Sequence, residues 1–324
     1  MNEDLSIKNP MLLVGIGGIG NKIAAAASAA LDCKCLLISN DKNDLVYNDK
    51  CSAIFVRSGE WINPSSYKLR SFVEGHRNEM AAAMRDYSTV IVVSNLAGRA
   101  GTAIAPLVCR MAKDSSTAVI SITIMPFKYE TDRIFSAGTA LRRVREVSDS
   151  TIVMDNDAFL DNNSELSQQD CFAITNNAIV EVIASISAGM IKPAMNVLCT
   201  SRASPSSESS LRDSLSMLYD AVPDASTIKR AMVYVMGGNR IPIGELNKLV
   251  GCVQGIFKED GSIEVGMLSS MSSSNGVRVH LVASAPQKTR FDSYDPLGDI
   301  IPDVLDWDEP DSAPDIKLTI PAIE

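Results

Sequence analysis

Met11-Leu12-Leu13-Val14-Gly15-Ile16-Gly17-Gly18-Ile19-Gly20-Asn21-Lys22-Ile23-Ala24-Ala25-Ala26-Ala27 decides how this chain folds. Four apolar residues read as a buried strand. The glycines then let the backbone turn sharply and approach a ligand that any Cβ would hold off. The alanine-rich run is a helix, and its unpaired N–H groups and dipole favour an anion at its start. Strand, glycine loop and helix in this order predict a phosphate site; the alternative is a tight turn with no ligand.

Outward from this unit, strands are expected at Cys35–Ile38, Ser52–Val56, Thr89–Val93, Ala118–Ile124 and Thr151–Met154. Helices are expected at Tyr67–Arg85 and Ala103–Lys113. Strands apolar throughout and alternating with helices predict a parallel sheet covered on both faces. Such sheets bind ligands at the carboxyl ends of their strands. Gln168–Ile191 reads as one long helix with the stripe Phe172, Ile174, Ile179, Val182, Ile183, Ile186 and Met190, and Ser201–Ser210 as a polar loop. A second unit follows, with strand Ala231–Met236, helix Gly244–Phe257 and strands Ser262–Leu268 and Val277–Ala283. The last two alternate and are expected to pair antiparallel.

The chain has 324 residues, 46% hydrophobic, enough for two globular cores. Its net charge is −9, of which the ten Asp/Glu and three Lys/Arg from Pro286 to Glu324 supply −7. The remainder is close to neutral, so nothing points to nucleic acid. That tail, with six prolines, reads as disordered. Seven scattered cysteines and two histidines give no zinc pattern and fit a reduced compartment. No leader and no membrane-length apolar run is seen, so a cytoplasmic protein without membrane insertion is expected.

In order and spacing, these residues resemble the FtsZ/tubulin superfamily of filament-forming GTPases. Gly15, Gly17, Gly18 and Gly20 resemble the family's first glycine loop, and Asn40-Asp41 stands where the family has an Asp after the second strand. Pro126–Arg133, PFKYETDR, is similar to the FtsZ stretch P-F-x-F-E-G-x-R, and Asn156-Asp157 to I-V-I-P-N-D-x-L-L. Phe172 and Asn176 match the Phe and Asn at the start of the central helix. At i and i+4 they share a face, where a ring can pack on a base and an amide can read its edge. Residues 230–253 look like the FtsZ activation domain, and Leu318, Ile320 and Pro321 lie in a terminus similar to the D-I-P-A-F peptide that docks partners.

The resemblance implies a Rossmann-like parallel-sheet GTPase domain, a long central helix and a smaller α/β domain. The divisions are a tail at 1–10, a nucleotide-binding domain at 11–167, the helix at 168–192, an activation domain at 193–285 and an acidic tail at 286–324. It implies GTP or GDP with Mg2+, self-assembly or co-assembly with an FtsZ homologue, and a protein docking on the terminal peptide. The residues implied in nucleotide binding are Gly15, Gly17, Gly18, Gly20, Asn21, Asp41, Gly98, Arg99, Gly101, Thr102, Glu130, Arg133, Asn156, Phe172 and Asn176. Plainer roles stay open for four of them. Asp41 can be a turn residue, Glu130 and Arg133 can pair on a solvated face, and Phe172 can be ordinary core.

Three departures bear on mechanism. The family's G-G-G-T-G-T/S-G appears as Ala97-Gly98-Arg99-Ala100-Gly101-Thr102-Ala103, with Arg99 either clamping phosphate or spoiling its close approach. Its G-A-G-x-N-P appears as Gly59-Glu60-Trp61-Ile62-Asn63-Pro64, adding the charge of Glu60. Its post-helix loop G-L-I-N-x-D-F-A-D-V becomes Gly189–Val197, with Lys192 for Asn and Ala194 for the Asp that positions the attacking water. No carboxylate lies between Glu181 and Glu208. The expectation is a nucleotide binder with weak or absent hydrolysis, a scaffold or regulator of cell division or shape. An active GTPase using Arg99 or Glu60 is the second reading. The third is an NAD-dependent oxidoreductase, because Gly15-x-Gly17-x-x-Gly20 with Asp41 about twenty residues on also fits a dinucleotide fingerprint.

Overall fold

The computed structural model describes residues 5–46, 49–59, 61, 64–157, 160, 163–187, 190–191, 195–228, 230–237, 241–255, 262–268, 276–285 and 289–296. In chain order the elements are β1 (Leu5–Ser6), β2 (Met11–Ile16), α1 (Gly17–Leu31), β3 (Lys34–Ser39), β4 (Cys51–Phe55), α2 (Ser66–Glu74), α3 (Arg77–Met84) and β5 (Thr89–Asn95). There follow α4 (Arg99–Asp114), β6 (Ala118–Met125), α5 (Thr131–Val147), β7 (Ser150–Asp155), α6 (Gln168–Ile186), β8 (Met190–Ile191) and β9 (Met195–Thr200). The chain continues through α7 (Ser207–Ala221), β10 (Arg230–Met236), α8 (Ile243–Gln254), β11 (Ser262–Leu268) and β12 (Arg278–Ser284).

Strands β2 to β7 form the parallel sheet that the apolar runs predict, in the order β7-β6-β5-β2-β3-β4. Leu13, Val14, Val90, Ile91, Val92, Ile120 and Ile122 are completely buried, as strands sandwiched between helix layers must be. From β2 the chain passes to β3 on one side, while β5 pairs with β2 on the other. This reversal opens a crevice at the carboxyl ends of β2 and β5, the place where open α/β sheets hold ligands. The sheet continues without a break into the second unit: β9 pairs parallel with β7, then β12, β10 and β11 complete ten strands.

Six expectations need correcting. Tyr67–Arg85 is two helices, because Gly75 ends α2 and breaks the ladder. The central helix stops at Ile186 rather than reaching residue 191. Met190–Ile191 instead pairs antiparallel with Leu5–Ser6. Residues 201–210 are not all loop, since α7 begins at Ser207. Two of its serines face inward: Ser210 and Ser214 donate to the carbonyls of Val277 and Val279 at 2.8 and 2.7 Å. Strands β11 and β12 do not pair with each other, since β10 lies between them, parallel to one and antiparallel to the other. Cys35 and Cys51 are not thiols. They are register partners on β3 and β4 with Cα atoms 4.5 Å apart, and they form a disulfide.

The sixth correction concerns the start of the expected disordered tail. Arg290–Tyr294 forms a 3₁₀ turn packed on α5 and α7, with Phe291 buried. Burying such a ring is worth roughly 1.5–3 kcal/mol. Arg290 pairs with Asp155 of β7 and Asp220 of α7, Arg145 with Asp292 at 2.6 Å, and Arg142 with Asp295 at 3.4 Å. A Cβ on Gly138 of α5 would stand 2.6 Å from the carbonyl carbon of Tyr294, so that glycine lets the strap lie flat on the helix. The terminal peptide with Leu318, Ile320 and Pro321 lies outside the described residues.

Candidate nucleotide site

The glycine loop is built as its sequence requires. Gly17 has φ +68°, a left-handed conformation that suits glycine. A Cβ on Gly20 would lie 2.4 Å from the Val93 carbonyl oxygen, so the first turn of α1 rests directly on β5. A Cβ on Gly15 would lie 2.7 Å from the Cα of Asn21. On the neighbouring strand, a Cβ on Gly101 would lie 2.0 Å from the Asn95 carbonyl oxygen, pinning α4 against the end of β5.

These glycines bring two helix starts together. The Cβ position of Gly17 lies 3.1 Å from Ala100 Cβ, in the first turn of α4. Neither α1, entered through Ile16, nor α4, entered through Gly98, has a side-chain cap or an acidic residue in its first turn. Two sets of helix-terminal N–H groups with aligned dipoles therefore meet at the switch point, an arrangement suited to an anion. Arg99 is exposed at the first residue of α4. Thr102 turns its hydroxyl back into its own loop, donating to Leu96 and Gly98 carbonyls at 3.0 and 2.9 Å.

The other wall is α6 with the loop between β6 and α5. The ring centroid of Phe172 lies 5.5 Å from that of Phe127, which stacks at 5.4 Å on Tyr129. Gln168 Nε2 donates to the Tyr129 hydroxyl at 2.7 Å. One helical turn beyond Phe172, Asn176 has a buried Oδ1 that accepts no hydrogen bond from the described residues. A buried amide oxygen left without a donor is costly unless a ligand supplies one. This atom fits the edge of a base with N–H donors.

The remaining predicted residues have protein partners. Glu130 accepts from the Phe127 backbone N–H at 3.1 Å and from Arg133 at 2.8 Å. Asn156 donates to the Met125 carbonyl at 3.1 Å and accepts from Thr175 at 3.3 Å, tying β6 to α6. Asn21 donates to the Asp44 carbonyl at 3.1 Å and accepts from the Ile38 N–H at 3.3 Å. Asp41 is exposed and accepts from the Asn43 N–H at 2.9 Å, an ordinary turn contact. Helix α6, which carries Phe172 and Asn176, packs on α1, which begins in the glycine loop, while Asn21 and Asn156 are held in the frame. The sequence reading missed Asp44, whose carboxylate lies against Gly18. Glu60, Asn63, Lys192 and Ala194 lie outside the described residues.

A glycine loop entering a helix at the switch point of a parallel sheet defines an α/β protein with a nucleotide-binding type of crevice. Residues 10–164 match the family described as Tubulin/FtsZ family, GTPase domain. Over these residues the chain is similar to the FtsZ/tubulin superfamily. It is 26% identical over 191 residues to the cell division protein FtsZ 2 of Methanocaldococcus jannaschii, covering 57% of this chain and 50% of that relative. The match thus spans half the relative's length. In fold it is similar to an empty FtsZ dimer from M. jannaschii, with TM-score 0.72 and 20% identity over 86% of this chain and 89% of the other. It is also similar to CetZ2 of Haloferax volcanii in a GTPγS-bound protofilament, with TM-score 0.64 and 20% identity over 88% and 96%.

Proposed function

We propose that this protein is a cytoskeletal scaffold or regulator of cell division or shape that binds guanine nucleotide and hydrolyses GTP weakly or not at all. The observation that carries the reading is the pairing of two uncapped helix starts, α1 and α4, with an unpartnered buried amide oxygen on Asn176. The first suits phosphate and the second suits a base. GTP or GDP would be held by the backbone of Gly15, Gly17, Gly18, Gly20, Gly98 and Gly101, with Arg99 beside the phosphates, Phe172 on the base and Asn176 at its edge. Glu130 and Arg133 stand at the sugar side. Magnesium bound with the nucleotide would offset phosphate charge.

Weak hydrolysis follows from what attack on a phosphoryl group requires. Water must be oriented and relieved of a proton by a positioned polar group. The resembled family supplies an Asp from the loop after the central helix, and this chain has Ala194 there. Assembly with itself or with an FtsZ homologue, and docking of a partner on Leu318, Ile320 and Pro321, belong to the same proposal. No helix among the described residues is long and apolar enough to cross a membrane.

The test is the nucleotide released on denaturing purified protein, followed by phosphate release from added GTP. Bound guanine nucleotide with little turnover supports the reading. Binding of NAD instead, or rapid turnover, contradicts it.

A further inference from the structure

The geometry points to Asp44 as the residue that sets how tightly phosphate binds in this crevice, an inference that rests on the nucleotide reading above. Asp44 ends a 3₁₀ turn at Lys42–Asp44 that follows β3. Both ends of the residue are fixed. Ser39 Oγ donates to its Oδ2 at 2.7 Å, and Asn21 Nδ2 donates to its carbonyl oxygen at 3.1 Å. Its other carboxylate oxygen, Oδ1, lies 2.6 Å from the place a Cβ on Gly18 would occupy. The carboxylate therefore sits on the first turn of α1, in space that only a glycine leaves open.

That turn carries no acidic residue of its own and no side-chain cap. Asp44 supplies from a neighbouring loop the negative charge that a helix start attracts. A nucleotide phosphate arriving at the same turn meets this charge at short range, and like charges there repel. Removing the charge, or placing a cation between the two, relieves the repulsion. Asp44 thus supplies the charge the helix start attracts and makes phosphate binding dependent on a divalent cation. The base wall is on α6, so binding of a nucleoside without phosphate is untouched.

The experiment titrates the full chain, stripped of nucleotide, with GDP and with guanosine by calorimetry, in chelator and in magnesium. Asp44→Asn keeps an acceptor for Ser39 and removes the charge; Asp44→Ala is the second variant should the first fold poorly. In chelator the variants are expected to bind GDP about tenfold more tightly than the wild type. The difference shrinks in magnesium, and guanosine affinity is unchanged. Equal or weaker GDP binding by the variants, with GDP or guanosine still binding the wild type, overturns the role of Asp44 and leaves the nucleotide reading intact. Failure of every protein to bind GDP in either condition overturns both.

Discussion

The two walls of the crevice begin their helices in opposite ways. Helices α1 and α4 start with no side-chain cap, after Ile16 and Gly98. Helix α6 starts with a full capping box, in which Ser167 accepts from the Asp170 N–H and Asp170 accepts from the Ser167 N–H. A capped start has spent its donors on its own side chains and has little to offer an anion. The difference divides the labour. The glycine wall presents backbone, and the α6 wall presents side chains, Phe172 and Asn176.

The largest effect is expected on the glycine wall. Gly101→Ala places a Cβ 2.0 Å from a backbone oxygen, which cannot swing aside, so α4 must move off β5. Overpacking of this kind costs about 3 kcal/mol, visible in chemical denaturation, and nucleotide binding should vanish with it. A variant as stable as the wild type would break the claim that close backbone approach organises this wall.

The two asparagines sharpen the contrast on the other wall. Asn156→Ala removes two hydrogen bonds in the buried frame and should cost about 2 kcal/mol of stability. Asn176→Ala leaves no partner group unpaired, because its Oδ1 has no donor among the described residues. Its melting curve should be unchanged, while GDP binding weakens about tenfold. If the two substitutions exchanged these effects, frame and ligand roles would have to be exchanged as well.

The smallest effect belongs to the cap. Ser167→Ala should cost about 1 kcal/mol at neutral pH. The Ser167 hydroxyl and backbone N–H hold the Asp170 carboxyl below its ordinary value of 3.8. A carboxylate lowered by folding contributes stability above its unfolded value, and this is lost as pH falls through the folded one. The difference between Ser167→Ala and wild type should therefore narrow in acid, below pH 3.8. A gap independent of pH would mean that the bond from the Ser167 hydroxyl to the Asp170 carboxylate contributes nothing.

Much of the parallel sheet was readable because its strands are apolar on both faces and need no alternation, from Leu13 and Val14 to Ile152 and Val153. The glycine loop was readable because glycine at close approach has no substitute. What escaped was polar residues used as core. Ser210 looks like loop until its hydroxyl, like that of Ser214, is seen on a backbone carbonyl at the start of the β12 segment, Val277 and Val279. The strap at Arg290–Tyr294 hides in an acidic, proline-rich tail, and its acids count as packing only once Arg142 and Arg145 of α5 are found beneath them. In the site, Asn21 and Asn156 were expected at the nucleotide, yet their amides are engaged by the frame. Hydrogen-bond partners so distant in sequence cannot be read from spacing.

The central claim, that one wall reads phosphate through backbone and the other reads guanine through side chains, is tested most directly by one titration. Nucleotide-free protein in magnesium is titrated with GDP, guanosine and ADP. The account predicts that GDP binds more tightly than guanosine, which lacks the phosphates, and more tightly than ADP, which lacks the guanine edge. Equal affinity for GDP and ADP, or no binding of GDP at all, would contradict it.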